Sequence, residues 1–397
     1  MINPSANAWI EKFFQEQNTF ATSNSIADDY YSNLRDSGFI YGHIVSIPSF
    51  IPIPTDGWLK IEVYKVALLN NLYQMYVLTK QQLDTVDFVN QAVAFYNQMN
   101  PQESTLLHKI LPKNTPFLSL EKNLDERIRT NENGISKNFT HLVTNALLFI
   151  DILAFKQYLQ HQLIPEKYLK KIEETIMSIV TLALKTKSNK SKHDDLLIKL
   201  FEASVRYSKF SNVNYENLEA LQLDYFTDEL EKKYLLDVAD LTLWSDGIIS
   251  NNEKHFLYKL AEIMTLSDEI VEESILKTDH FITTYKSEIP YFNATSPVKN
   301  FYTQTTKSVE LLISRNKKRL LKELSESKEL MLLLAASTRR DLDEKEKKKV
   351  KIQLLDICKS IPSLTIFLLP GGSLLLPILI KFIPKLLPSS FNENLEE

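Results

Sequence analysis

Two carboxylates near the middle of the chain come closest to a ligand-binding pattern. Asp246 and Glu253 lie seven residues apart around a glycine turn, where acidic side chains could hold a metal ion. If the segment is laid on a calcium-binding loop, Thr242 and Trp244 fall where charged oxygen ligands are needed. Ser250 with Glu253 three residues later instead predicts a capping box. We therefore favour a helix–turn–helix corner, with metal binding by Asp246 and Glu253 as the alternative.

The sequence contains none of the common catalytic patterns. Its seven glycines form neither GxGxxG nor GxxxxGK, which disfavours dinucleotide folds and P-loops. Its seven histidines form no pair at i+3 or i+4 and no HExxH, and GxSxG is absent. The one cysteine, Cys358, lies in an apolar helix pattern and predicts a buried structural thiol. We predict a protein that is not an enzyme and uses no cofactor.

A lysine-rich stretch directly before a long uncharged stretch is the most specific signal. Residues 313–351 carry a net charge of +6, so the rest of the chain totals −10. Ile361–Ile380 then has no charged residue, and its 20 residues would reach about 30 Å as a helix, the thickness of a bilayer core. Lysines at this position favour contact with anionic lipid headgroups. The lysines are Lys345, Lys347, Lys348, Lys349 and Lys351.

Prolines and glycines break this apolar segment, which we bound at residues 361–388. Three interpretations remain open: a kinked single span, a re-entrant or interfacial hairpin, or a hairpin buried in a soluble helical domain. The breaks are Pro362, Pro370, Gly371, Gly372 and Pro377, followed by Lys381, Pro384 and Pro388.

The elements that position these residues are predicted to be helices throughout. Scarce glycine and apolar periodicity favour an all-α fold: a multi-helix bundle body, a compact helical unit and a proline-broken apolar membrane-type segment at the C-terminus. An extended segment over 39–54 should pack on the core, and Thr55-Asp56 should cap the helix that follows. Helices are predicted at two places within 1–37, then at 58–80, 83–99, 119–131, 138–161, 166–186, 193–209, 215–224, 298–336 and 341–360.

The compact unit resembles a known helical domain. Asp246, Gly247, Ile249, Ser250 and Glu253 match an Ala-Asp-Gly-x-Ile-Ser-x-x-Glu pattern, with serine in place of the alanine. The stretch 226–288 therefore resembles the tellurite-resistance (TerB-like) domain, a family whose acidic residues have been linked to metal ions. We divide the chain into 1–225, of unknown type, 226–290, TerB-like, and 298–397.

A second resemblance covers about residues 330–391. A basic helix followed by prolines in a fixed register resembles the membrane segment of the Letm family, and most closely bacterial Letm-related proteins labelled biofilm-associated. The resemblance implies an energy-transducing membrane, cation/proton homeostasis and a ribosome-binding type of domain. The matching residues are Ile361-Pro362, Leu369-Pro370, Leu376-Pro377, Lys381-Phe382, Pro384, Leu387-Pro388-Ser389 and Phe391.

Three functional hypotheses follow. The first is a scaffold or interaction protein at the inner face of the bacterial cytoplasmic membrane, with its body in the cytoplasm and with membrane lipids and, by resemblance, the ribosome as partners. The second is an accessory role in cation/proton homeostasis, which would require a homo-oligomer because one broken span forms no pathway. The third is a soluble cytoplasmic binding module with a buried apolar tail. DNA is disfavoured because the chain is net acidic and acidic residues interleave its basic clusters.

Overall fold

The structure, a computed structural model, describes residues 2–17, 30–48, 53–99, 115–130, 147–187, 217–244, 249–289, 310–337, 340, 342–361, 364, 380 and 382–383. These residues form helices and contain no strand, as the all-α prediction requires. The α-helices are α1 (Trp9–Gln17), α2 (Tyr30–Asp36), α3 (Lys60–Lys80), α4 (Thr85–Met99), α5 (Pro116–Thr130), α6 (Phe149–His161), α7 (Pro165–Thr186), α8 (Glu229–Leu243), α9 (Asn251–Ile263), α10 (Asp268–Tyr285), α11 (Lys317–Glu326), α12 (Lys328–Ala336) and α13 (Glu344–Ser360).

A large first core unites α1 to α10. Helix α3 lies at its centre, because every residue from Tyr64 to Val77 is buried, as expected for a helix surrounded on all sides. Aromatic rings fill the space around it. The rings of Phe14 and Tyr73 meet edge to face at 4.8 Å, and those of Tyr73 and Phe88 at 5.1 Å. Buried residues of both 1–225 and 226–290 contribute to this core, and the division into the three predicted regions stays a prediction.

The segment after α2 packs on the body, as predicted for residues 39–54. Phe39, Tyr41 and Ile47 are buried there. The turn that leads into it depends on Gly38, whose φ is +74°. A Cβ at Gly38 would lie 1.9 Å from the carbonyl oxygen of His43. The backbone passes so close to Gly38 that no side chain fits at this position.

Several helix ends agree with the sequence and one does not. Pro165 occupies the first turn of α7, and Ser250 and Glu253 form the predicted capping box of α9. The predicted cap of α3 at Thr55-Asp56 was wrong. Helix α3 begins after Leu59, whose backbone N–H donates to the Glu62 carboxylate at 2.8 Å.

Two helix predictions need correction. Residues 215–224 do not form an α-helix in their described part but two short 3-10 turns, and the side chain of Asn217 accepts from the N–H of Ala220. The long helix predicted over 298–336 is interrupted at Asn316 and Ser327. Ser327 adopts φ −115° and ψ 88°, which are not helical values. Its hydroxyl accepts from Leu330 N at 3.4 Å, so Ser327 caps the N-terminus of a new helix, α12.

A smaller second core holds the C-terminal helices together and touches the body at one edge. It is formed by apolar residues of α11, α12 and α13, and Leu59 from the start of α3 also belongs to it. Arg315 makes the polar link beside this contact. Its Nη1 lies 2.6 Å from Glu62 Oε2, and its Nη2 lies 3.1 Å from Asn3 Oδ1.

Candidate functional site

The predicted basic cluster lies on α13. Its five lysines are all exposed, at Lys345, Lys347, Lys348, Lys349 and Lys351. Helix α13 is oriented by the buried residues Val350, Leu354, Ile357 and Cys358, which repeat at i, i+4, i+7 and i+8 and thus share one face. At 100° per residue, Lys345 and Lys348 project from the opposite side.

The start of α13 is fixed by a capping box that includes an arginine. The Asp343 carboxylate accepts from Glu346 N at 2.8 Å, and the Glu346 carboxylate accepts from Asp343 N at 3.0 Å. Both terminal nitrogens of Arg340 donate to the same Glu346 carboxylate at 2.7 and 2.6 Å. The hydrogen bond from Arg340 lowers the pKa of Glu346 to about 2, so the Glu346 carboxylate at the start of α13 stays ionised over the physiological pH range.

The lysines of α13 differ in their ion pairs. Lys347 pairs with Glu344 at 2.9 Å, and Lys349 pairs with Glu329 of α12 at 2.6 Å. Lys345, Lys348 and Lys351 have no ion-pair partner among the residues that the structure describes. Their ammonium groups are therefore available to an external anion without breaking a contact within the described structure.

The second basic cluster, Arg315–Arg319, is divided by the fold. Arg315 faces the body and forms an ion pair with Glu62. Lys317, Lys318 and Arg319 are exposed at the start of α11. This division could not be predicted from the sequence, because the carboxylate that binds Arg315 lies 253 positions away.

The candidate metal ligands are only partly visible. Asp246 lies outside the described residues, so a pairing with Glu253 is not tested. Glu253 is buried, and its carboxylate accepts from Ser250 N at 2.6 Å, which is the capping role favoured above. Among the described residues, no group of three or more His, Cys, Asp or Glu side chains could hold a metal ion.

The apolar segment is described only at its edges. Ile361, Leu364 and Ile383 are buried in the second core, and Ile380 and Phe382 pack against it. Within the described part of the chain, no helix has the length and apolar character needed to cross a membrane. The residues singled out in this segment lie outside the described ranges: Pro362, Pro370, Gly371, Gly372, Pro377, Lys381, Pro384 and Pro388.

One protein-family model matches the C-terminal end of the chain. Residues 342–397 match the family model described as LETM1-like, RBD. The match begins at the capping box of α13 and includes all five lysines, and it supports the Letm resemblance of this region, with the description denoting a ribosome-binding domain. No curated protein and no solved structure matches the chain. The TerB-like resemblance of residues 226–288 is not shown by these comparisons and stays a prediction.

Proposed function

We propose that this chain is a non-enzymatic binding protein whose LETM1-like region docks on the ribosome through α13. The observation that carries the proposal is that the family match and the exposed lysines lie on the same helix. The family match over 342–397 begins on a helix whose lysines are all exposed, three of them without an ion-pair partner in the described structure.

The charge distribution supports a polyanionic partner. Ribosomal RNA presents a dense surface of phosphates, and lysines that replace their counterions gain affinity from counterion release. Residues 313–351 carry +6, whereas the remainder of the chain carries −10. The acidic remainder is repelled by phosphates, so the basic region should orient the protein as it approaches.

A triple substitution tests this docking mode. Replacing Lys345, Lys348 and Lys351 with alanine should weaken co-sedimentation with ribosomes. It should also reduce the slope of log affinity against log salt by about 2 to 3, roughly one for each lost phosphate contact. The measurement is co-sedimentation of the purified chain with ribosomes over a series of salt concentrations.

A matched control removes the same charge elsewhere. Lys167, Lys170 and Lys254 are exposed on α7 and α9, in the body. Their triple alanine variant should keep the wild-type affinity and slope. If both triple variants lose the same affinity, the effect is one of net charge and the docking surface is not α13.

We further infer that the protein works at the inner face of the bacterial cytoplasmic membrane. The support is the uncharged stretch Ile361–Ile380, which follows the lysines of α13 directly. Lysines beside an apolar segment suit the negative surface of the cytoplasmic leaflet.

Vesicle flotation tests this attachment. The full chain should float with vesicles that contain anionic lipid, and Leu375→Glu with Leu379→Glu should abolish flotation, since a charge in the bilayer centre costs about 2.5–3.5 kcal/mol. The control variant carries Leu83→Glu and Leu276→Glu, which alter body side chains that are 38% and 70% exposed. A wild-type chain that stays wholly with the unbound fraction would favour the soluble binding module.

A further inference from the structure

A buried polar site lies where α2, α8 and α10 meet, far from α13 in sequence. At its centre is the Asp237 carboxylate of α8, which is fully buried. Arg35 of α2 donates to both of its oxygens at 2.8 and 2.9 Å. Tyr31 OH donates at 2.7 Å, and Ser274 Oγ of α10 donates at 2.6 Å. The negative charge of Asp237 is therefore balanced by Arg35, and both of its oxygens accept hydrogen bonds.

The next carboxylate along α8 has a different environment. Asp240 is also fully buried, but Ser274 Oγ lies 3.3 Å from its Oδ2 and already gives its only proton to Asp237. Among the described residues, Asp240 Oδ1 has no hydrogen-bond partner. The Thr278 hydroxyl faces the same site, and its interaction with Asp240 only partly counteracts the effect of burial on the pKa of this carboxyl group. The buried Asp240 carboxyl group is thus less completely hydrogen-bonded than that of Asp237.

The charges around Asp240 do not balance if it is ionised. Arg35 is the cation of the site, and it is shared between Asp237 and Glu273, whose Oε1 lies 2.9 Å from Nη1. A second ionised carboxylate buried beside Asp237 would have to share the charge of Arg35, which already pairs with two other carboxylates in the described structure. The groups that interact with Asp240 are Arg35 from α2, Tyr41 from the segment after α2, Asp237 from α8, and Ser274 and Thr278 from α10.

We propose that Asp240 is a proton-binding site that makes the junction of α2, α8 and α10 sensitive to pH. Uptake of one proton converts the carboxylate to a neutral carboxyl group, which removes the excess negative charge from the buried site. Release of the proton restores a buried negative charge next to Asp237 and loosens the junction.

The direction of the pH effect follows from the burial of Asp240. Burial raises the pKa of Asp240 to about 7, whereas a carboxyl group in an unfolded chain has a pKa of about 3.9. The folded state therefore holds a proton that the unfolded state releases. The stabilisation is complete below about pH 4 and is lost as the pH rises to about 7.

The test compares the full-length wild type with Asp240→Asn, whose neutral amide mimics the protonated carboxyl group. Between pH 5 and pH 8, the ratio of the unfolding equilibrium constant of the wild type to that of the variant should rise about a hundredfold. Asp36→Asn is the control, because Asp36 is an exposed carboxylate on α2 with 56% of its side chain accessible, and this variant should follow the wild type. A ratio for Asp240→Asn that stays constant over this range would overturn the proposal.

Infrared titration of the folded wild type, compared with Asp240→Asn, gives a second measurement. The wild type should show a protonated-carboxyl stretching band that the variant lacks and that disappears with a midpoint near pH 7. If the two spectra do not differ in this band at pH 6, proton binding by Asp240 is rejected. A cation could fill the same role. If sodium chloride at pH 8 raises the melting temperature of the wild type, and tetramethylammonium chloride does not, the site takes a metal cation and the proton proposal is wrong.

Discussion

Replacing Arg35 with methionine should lower the free energy of unfolding by about 3–5 kcal/mol, the usual cost of leaving a buried carboxylate without its cation. The Arg35 side chain is 1% exposed and that of Asp237 is 0% exposed, so water cannot replace the missing guanidinium and the Asp237 carboxylate stays buried without its cation. Methionine keeps much of the apolar volume of the arginine stem, which limits the effect of packing. The midpoint of urea unfolding, followed by tryptophan fluorescence, measures the loss.

A surface pair between α2 and α10 provides the control. Lys277 of α10 pairs with Asp36 of α2 at 2.9 Å, but the Asp36 side chain is 56% exposed. Lys277→Met should therefore cost about 1 kcal/mol or less. If both variants unfold at the same urea concentration, the buried pair does not stabilise the body in the way that its geometry indicates.

Replacing Glu62 with alanine should destabilise the contact between the two cores by about 3 kcal/mol, a cost typical of breaking a buried ion pair. The Glu62 carboxylate is fully buried and accepts from Ser5 Oγ at 2.6 Å, from Leu59 N at 2.8 Å and from Arg315 Nη1 at 2.6 Å. The substitution thus removes the helix cap of α3 and the anchor of the C-terminal helices together. Hydrogen exchange should become faster in the first turn of α3 and in α11.

A half-exposed glutamate serves for comparison. Glu126 pairs with Lys122 one turn away on α5, and 40% of its side chain is accessible. Glu126→Ala should cost about 0.3–0.5 kcal/mol and leave exchange in α11 unchanged. Unchanged exchange in α11 after Glu62→Ala would mean that the second core holds its place without this carboxylate.

Local features of the fold could be predicted from the sequence, because their signals lie within one turn of a helix. The capping box of Ser250 and Glu253 and the proline at the start of α7 are of this kind. The breaks at Asn316 and Ser327 were missed because the apolar periodicity continues across them. Serine and asparagine have ordinary helix propensity, and whether they cap a new helix depends on tertiary packing.

The polar interior was not predictable, because its partners are far apart in sequence. Arg35 and Asp237 are separated by 202 positions, and Glu121 accepts from Ile10 N at the start of α1 across 111 positions. No periodicity links such residues, and a charged residue on an apolar face is ambiguous until the fold places its partner. The basic helix α13 was easier to predict, since exposed lysines leave their signal in composition alone.

The smaller core also contains the sole sulfhydryl of the chain. Cys358 on α13 is fully buried, and burial raises its pKa to about 12, so the reactive thiolate is scarce at neutral pH. An alkylating reagent can reach this sulfur only when α13 separates from its neighbours. The rate of alkylation therefore measures how often the C-terminal helices open locally, without unfolding of the rest of the protein.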